Sequence, residues 1–282
     1  MILDGKGVAE RRNEKLKEKI DSYIEKGYRK PTFAVVMAGD NPASKSYVQN
    51  KLKASALVGI EAKLYKLEDS ISEQEVLKLV DELNNDDMLD GYIVQLPLPK
   101  NVDTDKVLNR LDVKKDVDGF HVINQGLLFQ GRNAMHAATP QGIVNLLETY
   151  RIDVTGLNAV VVGRSNIVGM PISKLLLDMN ATVTTTHSRT KNLSAITKQA
   201  DLLVVAIGKP KFITKDMVKE GAIVIDVGIN RVDGKLYGDV DFEEVLKIAK
   251  YITPVPKGVG PMTINALLEN VFKRYEENIH SR

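Results

Sequence analysis

The chain has 282 residues, 43% hydrophobic and 27% charged, with a formal net charge of +2, so a cored globular protein of one large or two modest domains is expected. So small a charge, with no long basic run, gives no electrostatic ground for nucleic acid or a membrane surface as the main partner. The absence of cysteine excludes disulfides, thiol nucleophiles, Fe–S clusters and most structural zinc sites; His121, His136, His187 and His280 have no metal-ligand spacing, so no metal is expected.

The N-terminal run "MILDGKGVAERRNEKLKEKI" is too charged for a signal peptide, and no apolar run approaches a membrane span, so a cytoplasmic protein is expected. "NEKLKEKIDSYIEKGYRKP" has the periodicity of an amphipathic helix ending near Gly27, and the strand-like "TFAVVMAG" follows. A helix is predicted over 46–60, with Ser44 or Ser46 as N-cap and Gly59 near its end. At roughly 100° per residue, Val48, Leu52, Ala54, Ala56 and Val58 form an apolar arc opposite Gln49, Asn50 and Lys53. Lys51 projects inside that arc, with Tyr47 one turn earlier on the same stripe. A lysine so placed snorkels, finds a partner or loses its proton. Two readings stay open at this point: a stem that packs while its head reaches water, and a catalytic lysine at the floor of a cleft.

A strand around "IEAKLYKL" comes next, then a helix over "SEQEVLKLVDELNND" that opens with a capping box from Ser72 to Glu75. The short strand "GYIVQL" runs into "PLPKN", and this strand–helix alternation predicts a parallel α/β sheet. After the irregular "KKDVDGFHVINQG", "ATPQGIVNLLETY" restarts a helix with Thr139 as cap and Pro140 at the first position. A second alternating series begins at Leu157, and its runs "AVVVG" and "LLVVAIG" suit central parallel strands covered on both faces. A helix over "DFEEVLKIAK" and a long terminal helix after Pro261 close the chain. Topology places the domain boundary near residues 139–156.

In "VVVGRSNIVG" a buried strand enters a glycine-bearing turn, with a helix from about Gly169, the Rossmann context for a pyrophosphate at a helix N-terminus. Ser165 stands where the usual fingerprint has its second glycine. The next strand ends "TTTHSRT", with His187, Ser188 and Arg189 and none of the acid that grips a ribose in NAD-specific sites. With Arg164 nearby, this cationic, hydroxyl-bearing set favours a 2′-phosphate, hence NADP. The "AIGKP" and "DVGIN" loops would form the rest of the crevice wall.

In the first half, Gln95 lies at the carboxyl end of a strand, where ligands sit in open α/β sheets. Asp118 lies in the turn-prone "KDVDG", and "PVPKGVGPMT" is a rigid loop ahead of the last helix. Singly, each has a plain structural role available to it.

Together these pieces resemble one family, the bifunctional methylenetetrahydrofolate dehydrogenase/methenyltetrahydrofolate cyclohydrolases of the FolD type. "SYVQNK", "GYIVQLPLP", "KDVDGFHVIN", "ATPQGIVNLL", "VVVGRSNIVGMP", "ATVTTTHSRT", "DVGIN", "GDVDF" and "ITPVPKGVGPMT" stand in the family's order from about residue 31 to 270. The resemblance implies two α/β domains with a deep cleft between them. Residues 1–139, with a terminal helix 262–282 packing back, would form the folate-binding catalytic domain, and 140–261 the Rossmann-type NADP domain. It further implies a homodimer through the nucleotide domain, with tetrahydrofolate one-carbon derivatives as substrates. Lys51 corresponds to the key catalytic group of a Tyr-x-x-x-Lys motif that begins at Tyr47, and Gln95 to the glutamine that holds the lysine. Asp118 corresponds to the aspartate that recognises the pterin. Val94, Leu96, Pro256, Gly258, Val259, Gly260, Pro261 and Thr263 would line the folate site. Gly163, Arg164, Ser165, Ser188 and Ile229 would contact the nucleotide, with Arg164 and Ser188 at the 2′-phosphate. Ala138 stands where many relatives carry cysteine, and no step of the implied chemistry requires a thiol. The other readings that fit a Rossmann half are a two-domain NADP dehydrogenase for a small hydroxy or keto acid, a dehydrogenase without the hydrolytic step, and a nucleotide-responsive binding module.

Overall fold

A computed structural model describes residues 1–280 and divides them into two compact units, one comprising residues 11–138 and 267 onward, the other Met1–Glu10 and Thr139–Ala266. The cuts fall inside the first and last helices. They differ from the expected boundaries because Met1–Glu10 goes with the nucleotide-type unit: Leu3 N donates to Ile252 O at 2.8 Å, and Ile2 bridges Ile252 in parallel.

Helix α1, Gly5–Glu25, begins well before the amphipathic segment read from the sequence, and leads to β1, Thr32–Ala38. β1 is the centre of a three-stranded parallel sheet in the order β2-β1-β3, with β2 Glu61–Leu67 and β3 Gly91–Gln95. Its apolar run is buried from Phe33 to Ala38, as a strand covered on both faces requires. Helices α2, Pro42–Val58, and α3, Glu73–Asn84, make the crossovers, and Ser72 and Glu75 form the expected capping box. α2 starts four residues earlier than predicted. Asn41, not Ser44 or Ser46, caps it through Ser44 N at 3.2 Å, and Pro42 takes the first position, where no N–H is needed. Short helices α4, Thr104–Arg110, and α5, Val122–Phe129, follow, capped by Asp103 and His121.

The second unit opens with α6, Ala138–Thr149, which places Thr139 inside the first turn and not at its cap. Five parallel strands follow in the order β10-β7-β6-β4-β5: β4 Asn158–Val162, β5 Thr182–Thr186, β6 Leu202–Val205, β7 Ile223–Asp226 and β10 Tyr251–Ile252. β6 and β7 are buried throughout and β4 nearly so, while β5 is a half-exposed edge. α7, Gly169–Asp178, lies between β4 and β5 in the chain, and α8, Leu193–Thr197, between β5 and β6. Between β7 and β10 a hairpin of β8, Asn230–Val232, and β9, Lys235–Tyr237, turns on Asp233 and Gly234, both at positive φ. The helix expected over "DFEEVLKIAK" shrinks to α9, Phe242–Val245. α10 runs Val259–His280, so Pro261 lies in its first turn, where a missing N–H costs nothing.

Candidate active site

Lys51 is 4% exposed. The buried stripe of α2 is Ser44, Val48, Lys51, Ser55 and Val58, at alternating spacings of four and three, while Ala56 faces solvent. The apolar arc therefore sits rotated from the one expected through Ala54 and Ala56, and Lys51 lies inside it, between Val48 and Val58, as the sequence predicts. Its Nζ donates to Gln95 Oε1 at 3.1 Å and stands 4.7 Å from the centre of the Tyr47 ring. Gln95 ends β3, and its Nε2 donates to Leu96 O at 2.9 Å, which leaves the amide oxygen facing the lysine. Burial lowers the Lys51 pKa from the ordinary lysine value, and the Asp118 carboxylate opposes that shift. The Asp118 carboxyl is itself pushed up to about 6 by burial, against the pull of Lys51 and with the nearby Asp116 charge adding to the rise.

Asp116, which the sequence reading passed over, holds the loop that carries Asp118. Its Oδ1 accepts from Gly119 N at 2.9 Å, and its Oδ2 from His121 N at 2.9 Å and from Asn124 Nδ2 at 2.8 Å. Gly119 has φ +71, and a Cβ there would fall 2.6 Å from Ala137 N, so the loop admits only glycine. The signal was present in "KDVDG": the first aspartate serves the loop's backbone, which leaves the second free. Val94, in contrast, points into the core with Val36, Val76 and Val80, so only its backbone is available to a ligand.

The "PVPKGVGPMT" segment belongs to the other unit. Its Val255–Pro256 peptide is cis. A Cβ on Gly258 would lie 2.4 Å from Pro254 O, and one on Gly5 only 1.9 Å from Gly258 O. Val259 and Thr263 are buried, Gly260 and Pro261 half-buried. Thr263 Oγ1 lies 3.0 Å from Thr139 Oγ1.

In the same unit, Val162 of β4 stands beside Thr186 of β5, and Gly163 N donates to Thr186 O at 3.0 Å. The turn of Gly163, Arg164 and Ser165 thus leaves the sheet next to the turn carrying Ser188, and Arg164, Ser165 and Ser188 are all exposed. Gly163 has φ +126, and a Cβ there would sit 2.4 Å from Ala206 O. Gly169 presses its helix start onto Gly163 O, where a Cβ would come to 2.3 Å. Two glycines therefore perform the tight turn and the close helix packing of a dinucleotide fingerprint. Ser165 replaces the middle glycine and accepts from Val168 N at 3.2 Å and Gly169 N at 3.3 Å, tightening the turn itself. Ile229 is 54% exposed beyond the end of β7. A cationic guanidinium and two hydroxyls at adjacent strand ends fit a phosphorylated nucleotide. Among the described residues, no group of three or more histidines or acids could hold a metal ion, and no helix is long and apolar enough to cross a membrane.

Comparison with known proteins matches both units. Residues 3–118 match the family model for the tetrahydrofolate dehydrogenase/cyclohydrolase catalytic domain, and residues 137–279 that for its NAD(P)-binding domain. The chain is 54% identical over 275 residues to the bifunctional protein FolD of Acholeplasma laidlawii, covering 98% of each. It is similar to the crystal structure of the bifunctional enzyme FolD from Campylobacter jejuni, with a TM-score of 0.95 and 49% identity over 98% of this chain and 99% of that one. The Trypanosoma brucei methylenetetrahydrofolate dehydrogenase-cyclohydrolase, solved with NADP and an inhibitor, gives a TM-score of 0.95 at 33% identity, over 99% of this chain and 98% of that one.

Proposed function

The chain belongs to the tetrahydrofolate dehydrogenase/cyclohydrolase family, and from that premise we propose how its own residues perform the two reactions. It oxidises 5,10-methylenetetrahydrofolate to 5,10-methenyltetrahydrofolate with NADP, then hydrolyses the product to 10-formyltetrahydrofolate. Bound NADP supplies the hydride acceptor for the first reaction. Arg164 and Ser188 hold its 2′-phosphate, and the Gly163–Ser165 turn with the start of α7 meets its pyrophosphate. Ile229, exposed on the loop after β7, offers the cofactor an apolar contact. The protein's main task in this step is to hold two planar reactants face to face.

The second reaction needs proton transfers. Water forms a bond to the methenyl carbon and loses a proton. The resulting hydroxyl then gives up its own proton as the formyl carbonyl forms and the bond from that carbon to one ring nitrogen breaks. That nitrogen takes up one proton, so that of the two protons of water one ends on nitrogen and one is released. Lys51 is the group for these transfers. Its burial disfavours the ammonium form, and a cationic methenyl centre beside it disfavours that form further, so the free amine is available as a base. Gln95 holds the amine without adding charge. Tyr47 stacks on the folate and Asp118 reads the amino-pyrimidine edge of its pterin, with Val94 and Leu96 contributing backbone.

The hydrogen bond from the buried Lys51 to the half-buried Gln95 is the single observation that carries this reading. Purified protein given 5,10-methylenetetrahydrofolate and NADP should yield NADPH together with 10-formyltetrahydrofolate, each followed separately. NADPH with methenyl product that opens no faster than in buffer would refute the hydrolytic role of Lys51. No NADPH would refute the dehydrogenase. The protein also assembles as a homodimer through the nucleotide-type unit, a reading supported by the open flank of edge strand β5 and by Leu177 of α7, 54% exposed. Sedimentation should report twice the chain mass, and a monomer at micromolar concentration would refute it.

A further inference from the structure

Two buried carboxylates take no part in the chemistry above: Asp226 and Asp239, 2% and 0% exposed. Burying a carboxylate is costly unless it is paired or hydrogen-bonded. Here N–H groups stand in for a cation. Asp239 Oδ2 accepts from Ile207 N at 2.7 Å and Gly208 N at 2.9 Å. Its Oδ1 accepts from Lys209 N at 2.8 Å and from Asn230 Nδ2 at 2.9 Å. Asp226 lies behind it, with Oδ1 accepting from Asp239 N at 2.8 Å and Gly228 N at 3.2 Å, and Oδ2 from Val240 N at 3.0 Å. The chain makes room for both: a Cβ on Gly228 would fall 2.1 Å from Asp239 Oδ1, and one on Gly238 would fall 1.8 Å from Asp226 Oδ2.

What these carboxylates hold is specific. The donors Ile207, Gly208 and Lys209 form the loop after β6, and Gly228, on the loop after β7, and Asn230, which opens β8, bracket Ile229. In this sheet the strand order reverses between β4 and β6, which makes the loops after those two strands the rims of the ligand crevice. The loop after β6 also backs the phosphate turn, since Ala206 O lies against Gly163. We infer that Asp239, supported by Asp226, is a positioning residue for the cofactor, a buried anion that fixes the loops after β6 and β7 in the shape the nucleotide requires. This rests on the NADP reading given above.

The test is Asp239→Asn, which keeps size and shape but turns one accepting oxygen into an NH2 group facing an N–H. Dissociation constants for NADP and NADPH are measured by fluorescence titration, and cyclohydrolase turnover is measured on 5,10-methenyltetrahydrofolate supplied directly, without nucleotide. The expected result is an NADP dissociation constant raised about tenfold or more, with cyclohydrolase turnover kept within about threefold of wild type. Wild-type NADP affinity in the variant, or equal loss of nucleotide binding and cyclohydrolase turnover, overturns the inference. Wild-type protein without saturable NADP binding overturns the cofactor reading itself and the positioning role with it. Should Asp239→Asn fail to fold, Asn230→Ala decides, because it removes one of the four donors. It should weaken NADP about threefold or more with hydrolysis retained, and unaltered NADP affinity would overturn the inference.

Discussion

Replacing Lys51 by methionine separates a working lysine from a packing one. Methionine matches the stem in length and leaves the apolar stripe of α2 filled. Two interactions disappear: the 3.1 Å hydrogen bond to Gln95 and the contact with the Tyr47 ring at 4.7 Å. An unpaired Gln95 oxygen costs about 1–3 kcal/mol, and the lost cation–π contact about 0.5–2 kcal/mol. Against this, the variant no longer buries an ammonium, whose effective desolvation penalty is several kcal/mol. The opposing terms nearly cancel, so unfolding free energy should stay within about 2 kcal/mol of wild type near neutral pH. The sign of its pH dependence follows from the direction of the shift. Because the folded-state pKa lies below the unfolded one, the penalty carried by wild type is full at low pH and fades as pH rises toward the ordinary lysine value, about 10.4. The stability of Lys51→Met relative to wild type should therefore be greater at pH 6 than at pH 10, as read from urea midpoints. Cyclohydrolase turnover should fall by about 10²–10⁴, the usual worth of a positioned base, while NADP affinity holds. A variant that keeps wild-type hydrolysis, or loses more than about 3 kcal/mol of stability, would show that Lys51 serves the fold and not the reaction.

Replacing Arg164 and Ser188 together by alanine should weaken NADP by about 10–100-fold, the loss of charge-assisted contacts, and leave NAD much less affected. Equal losses with both cofactors in steady-state assays would contradict the 2′-phosphate assignment. Asp118→Asn should raise the folate dissociation constant about tenfold or more while NADP binding holds, and an unaltered folate affinity by calorimetry would refute pterin recognition. Burial raises the Asp226 carboxyl to about 7. The folded state then keeps a proton that the unfolded chain releases, so this group's contribution to stability declines as pH rises from about 4 to about 7, by up to about 4 kcal/mol. Asp226→Asn should flatten that slope in urea titrations at pH 4.5 and 7.5, and a slope equal to wild type would refute it.

How much was legible in the sequence depended on how local each cause was. β1, β4, β6 and β7 announced themselves because strands covered on both faces read as unbroken apolar runs. The Ser72–Glu75 box was visible because both halves of the cap lie within one turn. The start of α2 is obscured because Ser44 and Ser46 compete as caps with Asn41, the residue that accepts from Ser44 N, and the four–three spacing through Ser44, Val48, Lys51, Ser55 and Val58 is hidden by its polar members. That Lys51 is buried was readable from its neighbours; that Gln95 accepts from it required β3 to be placed beside β1. Asp226 and Asp239 were illegible for the same reason. The N–H groups that make Asp239 tolerable in the core sit about thirty residues upstream, at Ile207, Gly208 and Lys209, and nothing in "GDVDF" alone points to them.

The central claim is that Lys51 is held as a weakly basic amine in an apolar wall, steadied by a neutral glutamine. An NMR titration of 15N-labelled lysine side chains tests it most directly, with the Lys51→Met spectrum assigning the resonance. The account predicts that Lys51 titrates clearly below the ordinary lysine value of about 10.4, and higher in Gln95→Glu than in wild type, because a carboxylate beside the amine favours the ammonium. A Lys51 that titrates at or above the ordinary value would contradict the account, leaving a charged lysine that packs its stem and takes no proton in the reaction.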